Sequence, residues 1–406
     1  MIKKINVQRL KTGMFIHDLN CGWLGHSFIK SKFLINNQET IDKINKQGMK
    51  ELYIDTSKGL DVSSDDVSTA APAAKPESAV INASERIIKG PAEFNDEIIK
   101  AKKIKREVVK IVSGLMLDVR AGKQINVNKV DDMVDNMVES VYRNRDAMMC
   151  LGMLKDVDEY TFLHSVNVCI LMVTFCKALN LEKTIAQKVG VGALLHDIGK
   201  MKVPIEVLNK PGKLTDKEFL IMKSHVTFGK EILSDLKTVS DISKSVACEH
   251  HERFDGTGYA NGLKGDAISK YGQMAAIVDV FDAITSNRCY HKGMTAYEAL
   301  QKILEWSRQH FNKTLVEKYI DCVGIYPIKT LVRLENGTLG IVARPGVVNP
   351  LQPTVNVFYN TMRRQLLVPK EVDLEREAIK GTPNNIVCYE PPEQWNIDIS
   401  SYMPVF

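Results

Sequence analysis

Five of the nine histidines, His164, His196, His225, His250 and His251, fall within 88 residues, each inside or at the end of a stretch with helical periodicity. Three of these stretches also bring carboxylates. HDIGK sets His196 beside Asp197, HHE follows His250 and His251 with Glu252, and YGQMAAIVDVFDAITS places Asp279 and Asp282 three apart on one helix face. Taken singly, each histidine reads as an ordinary surface or core residue. As a series at spacings of roughly 25 to 32 residues they read differently, because a chain with nothing to coordinate has little reason to repeat this pattern on successive helices. Imidazole and carboxylate together suit iron, manganese, zinc and related divalent ions, and a shared carboxylate can bridge two of them. Five imidazoles with Asp197 and Asp279 suffice for two metals with positions left for water and substrate.

A site of this kind needs a helical scaffold, and the chain supplies one with smaller units at each end. Residues 1–60 read as a small α/β domain, with strand patterns at Met14 to His17, Phe33 to Ile35 and Leu52 to Ile54 and a helix from Gln38 to Gln47. Residues 61–94 are expected to be a linker, rich at first in Ser, Ala, Asp and Pro without periodicity. One or two amphipathic helices are expected over 95–149, either pairing two subunits into a homodimer or covering the next domain. A catalytic helical bundle is expected over 150–325, with capping boxes at Thr215/Glu218 and Thr295/Glu298. In residues 326–406, TLVRL and TLGIVA flank Asn336-Gly337 as a hairpin, and TVNVFYN with RRQLLV suggests a second, giving a small β unit. The fold class is therefore mainly α.

Composition narrows the partners. A net charge of +5 without a dense Lys/Arg block argues against a duplex-DNA footprint or an anionic membrane anchor. The apolar run Cys169 to Phe175 is too short to span a bilayer, and the N-terminus lacks a signal-peptide core. Eight scattered cysteines without a CxxC pair read as buried, reduced thiols, which points to the cytoplasm.

The segments HSVNV (164–168), LLHDIGKMKVP (194–204), KPGKLTDKE (210–218), SHVTFGKEIL (224–233), HHERFDGTGY (250–259), GLKGDAIS (262–269) and VDVFDAITSNRCY (278–290) resemble, in order, the motifs of the HD-GYP branch of the HD superfamily. The first 60 residues resemble the uncharacterised domain often found ahead of it. The resemblance implies an all-helical, metal-dependent phosphodiesterase that opens cyclic di-GMP to a linear dinucleotide, with some members acting on hybrid cyclic GMP-AMP or cleaving the product further. It also implies signalling partners such as a diguanylate cyclase. Carried over by motif, His164, His196, Asp197 and Asp279 hold one metal, and Asp197, His225, His250 and His251 the other. Lys200 faces the scissile phosphate, and Arg288 and Tyr290, with His291 and Lys292 beside them, bind substrate. Chemistry agrees: two ions about 3.5 to 4 Å apart can both generate hydroxide at neutral pH and neutralise the phosphate for in-line attack, with a lysine stabilising the non-bridging oxygens. Asp282 is the candidate for orienting a ligand or the attacking water.

Three positions depart from the family pattern. Tyr160 stands where members with three metals place a glutamate, so two metals are expected. Gly258-Tyr259-Ala260 replaces Gly-Tyr-Pro, which removes a φ restraint and alters the surface offered to partner proteins. His291 replaces a basic residue, making phosphate affinity weaker or pH-dependent. Two other readings stay open at this point: a cyclic-dinucleotide receptor without turnover, and an HD phosphohydrolase acting on mononucleotides. Metal identity is also open, with iron or manganese expected and zinc or nickel compatible with the same ligands.

Overall fold

The computed structural model describes residues 2–18, 33–46, 51–61, 91–123, 125–153, 160–286, 293–346, 348–382, 384–395 and 399–402. The N-terminal unit is a four-stranded antiparallel sheet of β1 (Ile2–Asn6), β2 (Phe15–Asp18), β3 (Phe33–Leu34) and β4 (Glu51–Asp55), in the order β1-β4-β2-β3, with α1 (Gln38–Lys46). Alternation puts Ile16, Leu52 and Ile54 inward, where they pack with Ile41 and Ile44 of α1. β1 was not anticipated from sequence. It pairs along its whole length with β4, from Ile2 opposite Asp55 to Asn6 opposite Glu51, which only distant chain can supply.

Three helices, not one or two, follow: α2 (Pro91–Arg120), α3 (Val127–Arg143) and α4 (Arg145–Met153). The expected linker ran to 94, but helix begins at Pro91, a residue whose fixed φ and missing N–H suit a first helical turn. Most of that linker lies outside the described residues. The break before α4 is set by Asn144, whose side-chain oxygen accepts the amides of Asp146 (3.1 Å) and Ala147 (3.2 Å). α4 runs across the expected boundary at 150, because Ala147 through Met153 are all buried in the same core as the helices that follow. Val127, Val130, Val134, Met137, Val138 and Val141 form the buried stripe of α3, so this helix covers the bundle with its apolar face.

The bundle comprises α5 (Tyr160–Ala178), α6 (Lys183–Leu195), a 3-10 segment Ile198–Lys202, α7 (Ile205–Leu208), α8 (Asp216–Lys223), α9 (His225–Ser234), α10 (Asp241–Glu249), α11 (Lys270–Thr285), α12 (Ala296–Trp306) and α13 (Lys313–Val323). Both capping boxes form, at the starts of α8 and α12. α5 is central: Val166 through Cys176 is buried, which explains why its sequence is apolar on every face. Among the described residues no helix is long and apolar enough to cross a membrane. Cys150, Cys169, Cys176, Cys322 and Cys388 are buried free thiols and Cys248 is half-buried; Cys21 and Cys289 lie outside the described residues.

The C-terminal unit is a five-stranded antiparallel sheet of β5 (Leu331–Leu334), β6 (Thr338–Arg344), β7 (Thr354–Asn360), β8 (Gln365–Asp373) and β9 (Ile386–Tyr389), ordered β8-β7-β6-β5-β9, with α14 (Leu374–Ile379) between β8 and β9. Both expected hairpins are present, β5–β6 around Asn336-Gly337 and β7–β8. Tyr389 stacks on Tyr297 of α12 with centroids 4.7 Å apart, and Tyr53 of β4 packs against Val387 and Cys388. The two terminal sheets therefore touch.

One polar contact ties α2 to α3. The buried carboxylate of Glu97 accepts from Ser140 Oγ (2.7 Å) and, in bidentate fashion, from Arg143 Nη2 (2.8 Å) and Nε (3.0 Å). Burial acts to raise the Glu97 pKa, but the Arg143 and Ser140 hydrogen bonds outweigh it and the carboxyl sits below its ordinary value. A depressed folded-state pKa contributes stability that is present above the unfolded value and lost as pH falls through the folded one. Glu97→Gln is expected to cost about 1–3 kcal/mol at neutral pH and to flatten the acid limb of the stability curve, as measured by urea unfolding between neutral and acidic pH. An unchanged acid limb would exclude Glu97 as its source.

Candidate metal centre

A single local rule positions three of the histidines. An α-helix ends with carbonyls that lack an intrahelical partner, and an imidazole at the helix end can satisfy one. His196 Nδ1 lies 2.7 Å from the Ala193 carbonyl at the end of α6, His225 Nδ1 2.6 Å from that of Met222 in α8, and His250 Nδ1 2.8 Å from that of Ala247 in α10. A carbonyl only accepts, so Nδ1 carries a proton in each ring, which leaves Nε2 as the atom that can serve as a ligand. All three Nε2 atoms point to a common centre. There they are buried without a hydrogen-bond partner, as is Asp197 Oδ1.

Asp197, directly after His196, lies among four imidazoles. Its Oδ2 is 3.3 Å from His196 Nε2 and 3.7 Å from His164 Nε2, and its Oδ1 is 3.5 Å from His225 Nε2 and 3.9 Å from His250 Nε2. Asp279 of α11 closes the other side, with Oδ1 2.9 Å from His164 Nε2 and Oδ2 3.8 Å from His251 Nδ1. His164 of α5 also presents Nδ1 to Asp282 Oδ2 at 2.7 Å, and Asp282 is fully buried. Three overlapping groups have ligand atoms within 4.8 Å of one another: His225/His250/His251, His164/His196/Asp279 and His196/Asp197/His250.

Four buried lone-pair atoms without partners in one cavity would be costly if nothing ever filled them. A divalent cation satisfies them all, and the donor set of imidazole nitrogen and carboxylate oxygen is the one such ions accept. The residues present therefore fit a metal centre. Their electrostatics agree. Burial holds His225 below its ordinary pKa and His250 well below it, and pushes His251 down to about 3, so these rings are neutral donors at physiological pH. For Asp197 burial acts upward, but His196 and Lys200 more than offset it and the carboxyl lies well below its usual range. His196 moves the other way. Burial acts to lower it, yet Asp197 and Asp279 carry it up to about 10, and Asp279 and Asp282 similarly raise His164. The two carboxylates thus draw positive charge to Nε2 of these rings, and a divalent ion there would take the proton's place and use the lone pair.

Lys200 lies in the 3-10 segment with Nζ 2.5 Å from Asp197 Oδ2, and its side chain is 23% exposed, whereas those of His196, Asp197, His225 and His250 are 1% exposed. His251, at 25%, is the other exposed group, so Lys200 and His251 mark the mouth. Arg288, Tyr290, His291 and Lys292 lie outside the described residues.

Some contributors were not singled out from sequence. Gly199 lets the 3-10 segment lie against α9: a Cβ there would collide with the His225 carbonyl and the Gly229 amide. Its only sequence signal is its place between Asp197 and Lys200. Glu252, noted as a neighbour of the histidines, falls outside the three candidate ligand groups and accepts the amides of Asn261 (2.7 Å) and Leu263 (3.0 Å).

A helical bundle that gathers His, His-Asp, His, His-His and Asp from successive helices around one buried centre defines an HD-domain metal-dependent phosphohydrolase. Comparison with known families agrees: residues 135–315 match the family described as HD domain, and residues 2–130, through α2 and into the first turn of α3, match a domain of unknown function, DUF3391. The chain is 39% identical over 397 residues to the cyclic di-GMP phosphodiesterase PA4108 of Pseudomonas aeruginosa, covering 98% of this chain and 94% of that protein. It is 32% identical over 197 residues, 48% of its length and 37% of the relative's, to 3'3'-cGAMP-specific phosphodiesterase 2 of Vibrio cholerae. Among solved structures, Bd1817, a HDG"Y"P protein from Bdellovibrio bacteriovorus, is similar with a TM-score of 0.48 and 16% identity over 79% of this chain and 99% of that one. With a relative matched over nearly its whole length, the chain belongs to the HD-GYP family of cyclic-dinucleotide phosphodiesterases.

Proposed function

We propose that this protein is a metal-dependent phosphodiesterase that hydrolyses a cyclic dinucleotide, cyclic di-GMP or 3'3'-cGAMP, to its linear form. The observation that carries this is the convergence of three buried, unpartnered Nε2 atoms and Asp197 Oδ1 on one cavity, in a chain related over almost all its length to a cyclic di-GMP phosphodiesterase. His164, His196, Asp197 and Asp279 would hold one divalent ion and Asp197, His225, His250 and His251 a second, with iron or manganese the best match for these donors. Such ions, when bound, supply positive charge against the phosphodiester and lower the pKa of water at the site.

The protein's own groups perform the remaining tasks. Helix-end carbonyls of α6, α8 and α10 lock three rings with Nε2 inward, so binding an ion requires no reorganisation of those side chains. Lys200, at the mouth, would neutralise a non-bridging phosphate oxygen, while Asp197 holds its ammonium in place. Asp282 accepts from His164 Nδ1 and would fix that ring with its Nε2 toward Asp279.

Asp282→Asn is accordingly expected to weaken manganese binding or turnover by about 10- to 100-fold, because the amide cannot accept from His164 with the strength of a carboxylate. Manganese titration and steady-state kinetics on the same preparation check this, and a native-like variant would leave Asp282 a packing role only. The activity itself is tested by incubating full-length protein, loaded anaerobically with iron or manganese, with cyclic di-GMP, 3'3'-cGAMP and a panel of mononucleotides. Metal-dependent appearance of linear dinucleotide is expected. Tight binding without turnover would support a receptor, and turnover of mononucleotides alone would overturn the assignment.

A further inference from the structure

His251 is held differently from its neighbours. His196, His225 and His250 each have Nδ1 fixed by a helix-end carbonyl, and His164 has Nδ1 fixed by Asp282. His251 makes no side-chain hydrogen bond among the described residues: its Nδ1 faces Asp279 Oδ2 at 3.8 Å, and its ring is a quarter exposed. Its surroundings are aromatic. The His250 ring lies 4.1 Å from it and the Tyr259 ring 4.7 Å away, inclined by 31°, while His225 meets it edge-on at 5.1 Å.

Tyr259 does not drift over this ring by chance. Its amide donates to the His251 carbonyl at 3.1 Å. Beyond it, Asn261 and Leu263 donate their amides to the buried Glu252 carboxylate. Just before it, Gly258 lies so close to the backbone of residues 251–253 that a Cβ would collide with the Arg253 amide and approach the His251 carbonyl to 2.6 Å. The loop is thus folded onto the two residues that follow His250, with one aromatic side chain laid over the one imidazole of the five clustered here that makes no side-chain hydrogen bond among the described residues. On its periphery, Lys223 Nζ of α8 lies 5.6 Å from the Tyr259 centroid.

We propose that Tyr259 is the positioning residue of His251: ring packing does for this imidazole what the helix-end carbonyls do for the others. The inference rests on the metal-centre reading above. It makes the ion held by His225, His250 and His251 dependent on the 252–263 loop, and leaves the ion held by His164, His196 and Asp279 independent of it.

The test is manganese(II) binding by the full-length protein, measured by calorimetry and by the free-ion spin signal, with circular dichroism as a check on folding. Tyr259→Phe keeps the ring and is expected to bind both ions within about two-fold of native. Tyr259→Leu and Tyr259→Met fill similar space without an aromatic face and are expected to weaken one of the two ions by about 3- to 10-fold, the worth of one aromatic contact. The second is expected unchanged. His251→Ala is expected to weaken the same ion further, and Tyr259→Leu added to it to do no more, since a residue acting through His251 has nothing left to act on. Either of the two aliphatic variants, if folded, decides the matter. Native binding of both ions, with only the KM for cyclic di-GMP raised, would place Tyr259 on the substrate and overturn the proposal. A native protein that binds no manganese would instead overturn the metal centre on which it rests.

Discussion

Replacing His196 and Asp197 together by alanine is expected to lower kcat/KM for cyclic di-GMP by at least about 10³-fold, to the limit of detection, with manganese content falling in parallel. Asp197 offers its two oxygens to His164, His196, His225 and His250 at 3.3–3.9 Å and pairs with Lys200, so no other side chain replaces it. Its loss removes negative charge from the centre, and the loss of His196 removes one of three inward Nε2 lone pairs. The fold itself should survive, because deleting a buried carboxylate together with the imidazole beside it leaves no isolated charge between them. Linear dinucleotide measured by chromatography, metal content and thermal unfolding of the metal-free protein form the readout. Retention of more than about a tenth of native turnover in a folded variant would remove this cluster from the chemistry.

The second large effect is expected at Gly199. A Cβ there would strike the His225 carbonyl and the Gly229 amide, all backbone, so relief requires the segment carrying Asp197 and Lys200 to move away from α9. Gly199→Ala is expected to cost about 3 kcal/mol or more, which for a chain of this size lowers the melting temperature by roughly 3–4 °C or more. It should also weaken manganese binding, because Asp197 and His225 would separate. Gly114 provides the opposite control. A Cβ there meets nothing within 4 Å, and it sits inside α2, so alanine is expected to stabilise by up to about 1 kcal/mol. Equal effects of the two substitutions in calorimetry would refute the close-approach argument.

Where the chemistry and the chain geometry are local, the sequence was legible. The capping boxes at Thr215 and Thr295 require residues three apart, and both form. The Asn336-Gly337 hairpin needs only a turn between two alternating runs. The cysteines of the apolar run Cys169 to Phe175 and its neighbour Cys176 read as buried thiols, and they are, although nothing in the run told of its central place among α4, α6 and α11. The division of 95–149 was less clear, since the break at Asn144 depends on one side chain capping one helix while the apolar spacing runs on.

By itself, then, the sequence determined the helical class, the ordered set of histidines and aspartates, and the family those motifs resemble. Each rests on residue identity and short spacing, which survive without coordinates. Only the tertiary structure decided which imidazole nitrogen faces the centre, because that follows from helix-end carbonyls three residues back and not from composition. It alone paired β9 with β5, brought β1 to β4, joined α2 through α4 to the catalytic core, and laid Tyr259 over His251. Such contacts unite atoms whose chain separation ranges from a few residues to more than fifty, and their energy exists only once the backbone has closed around them.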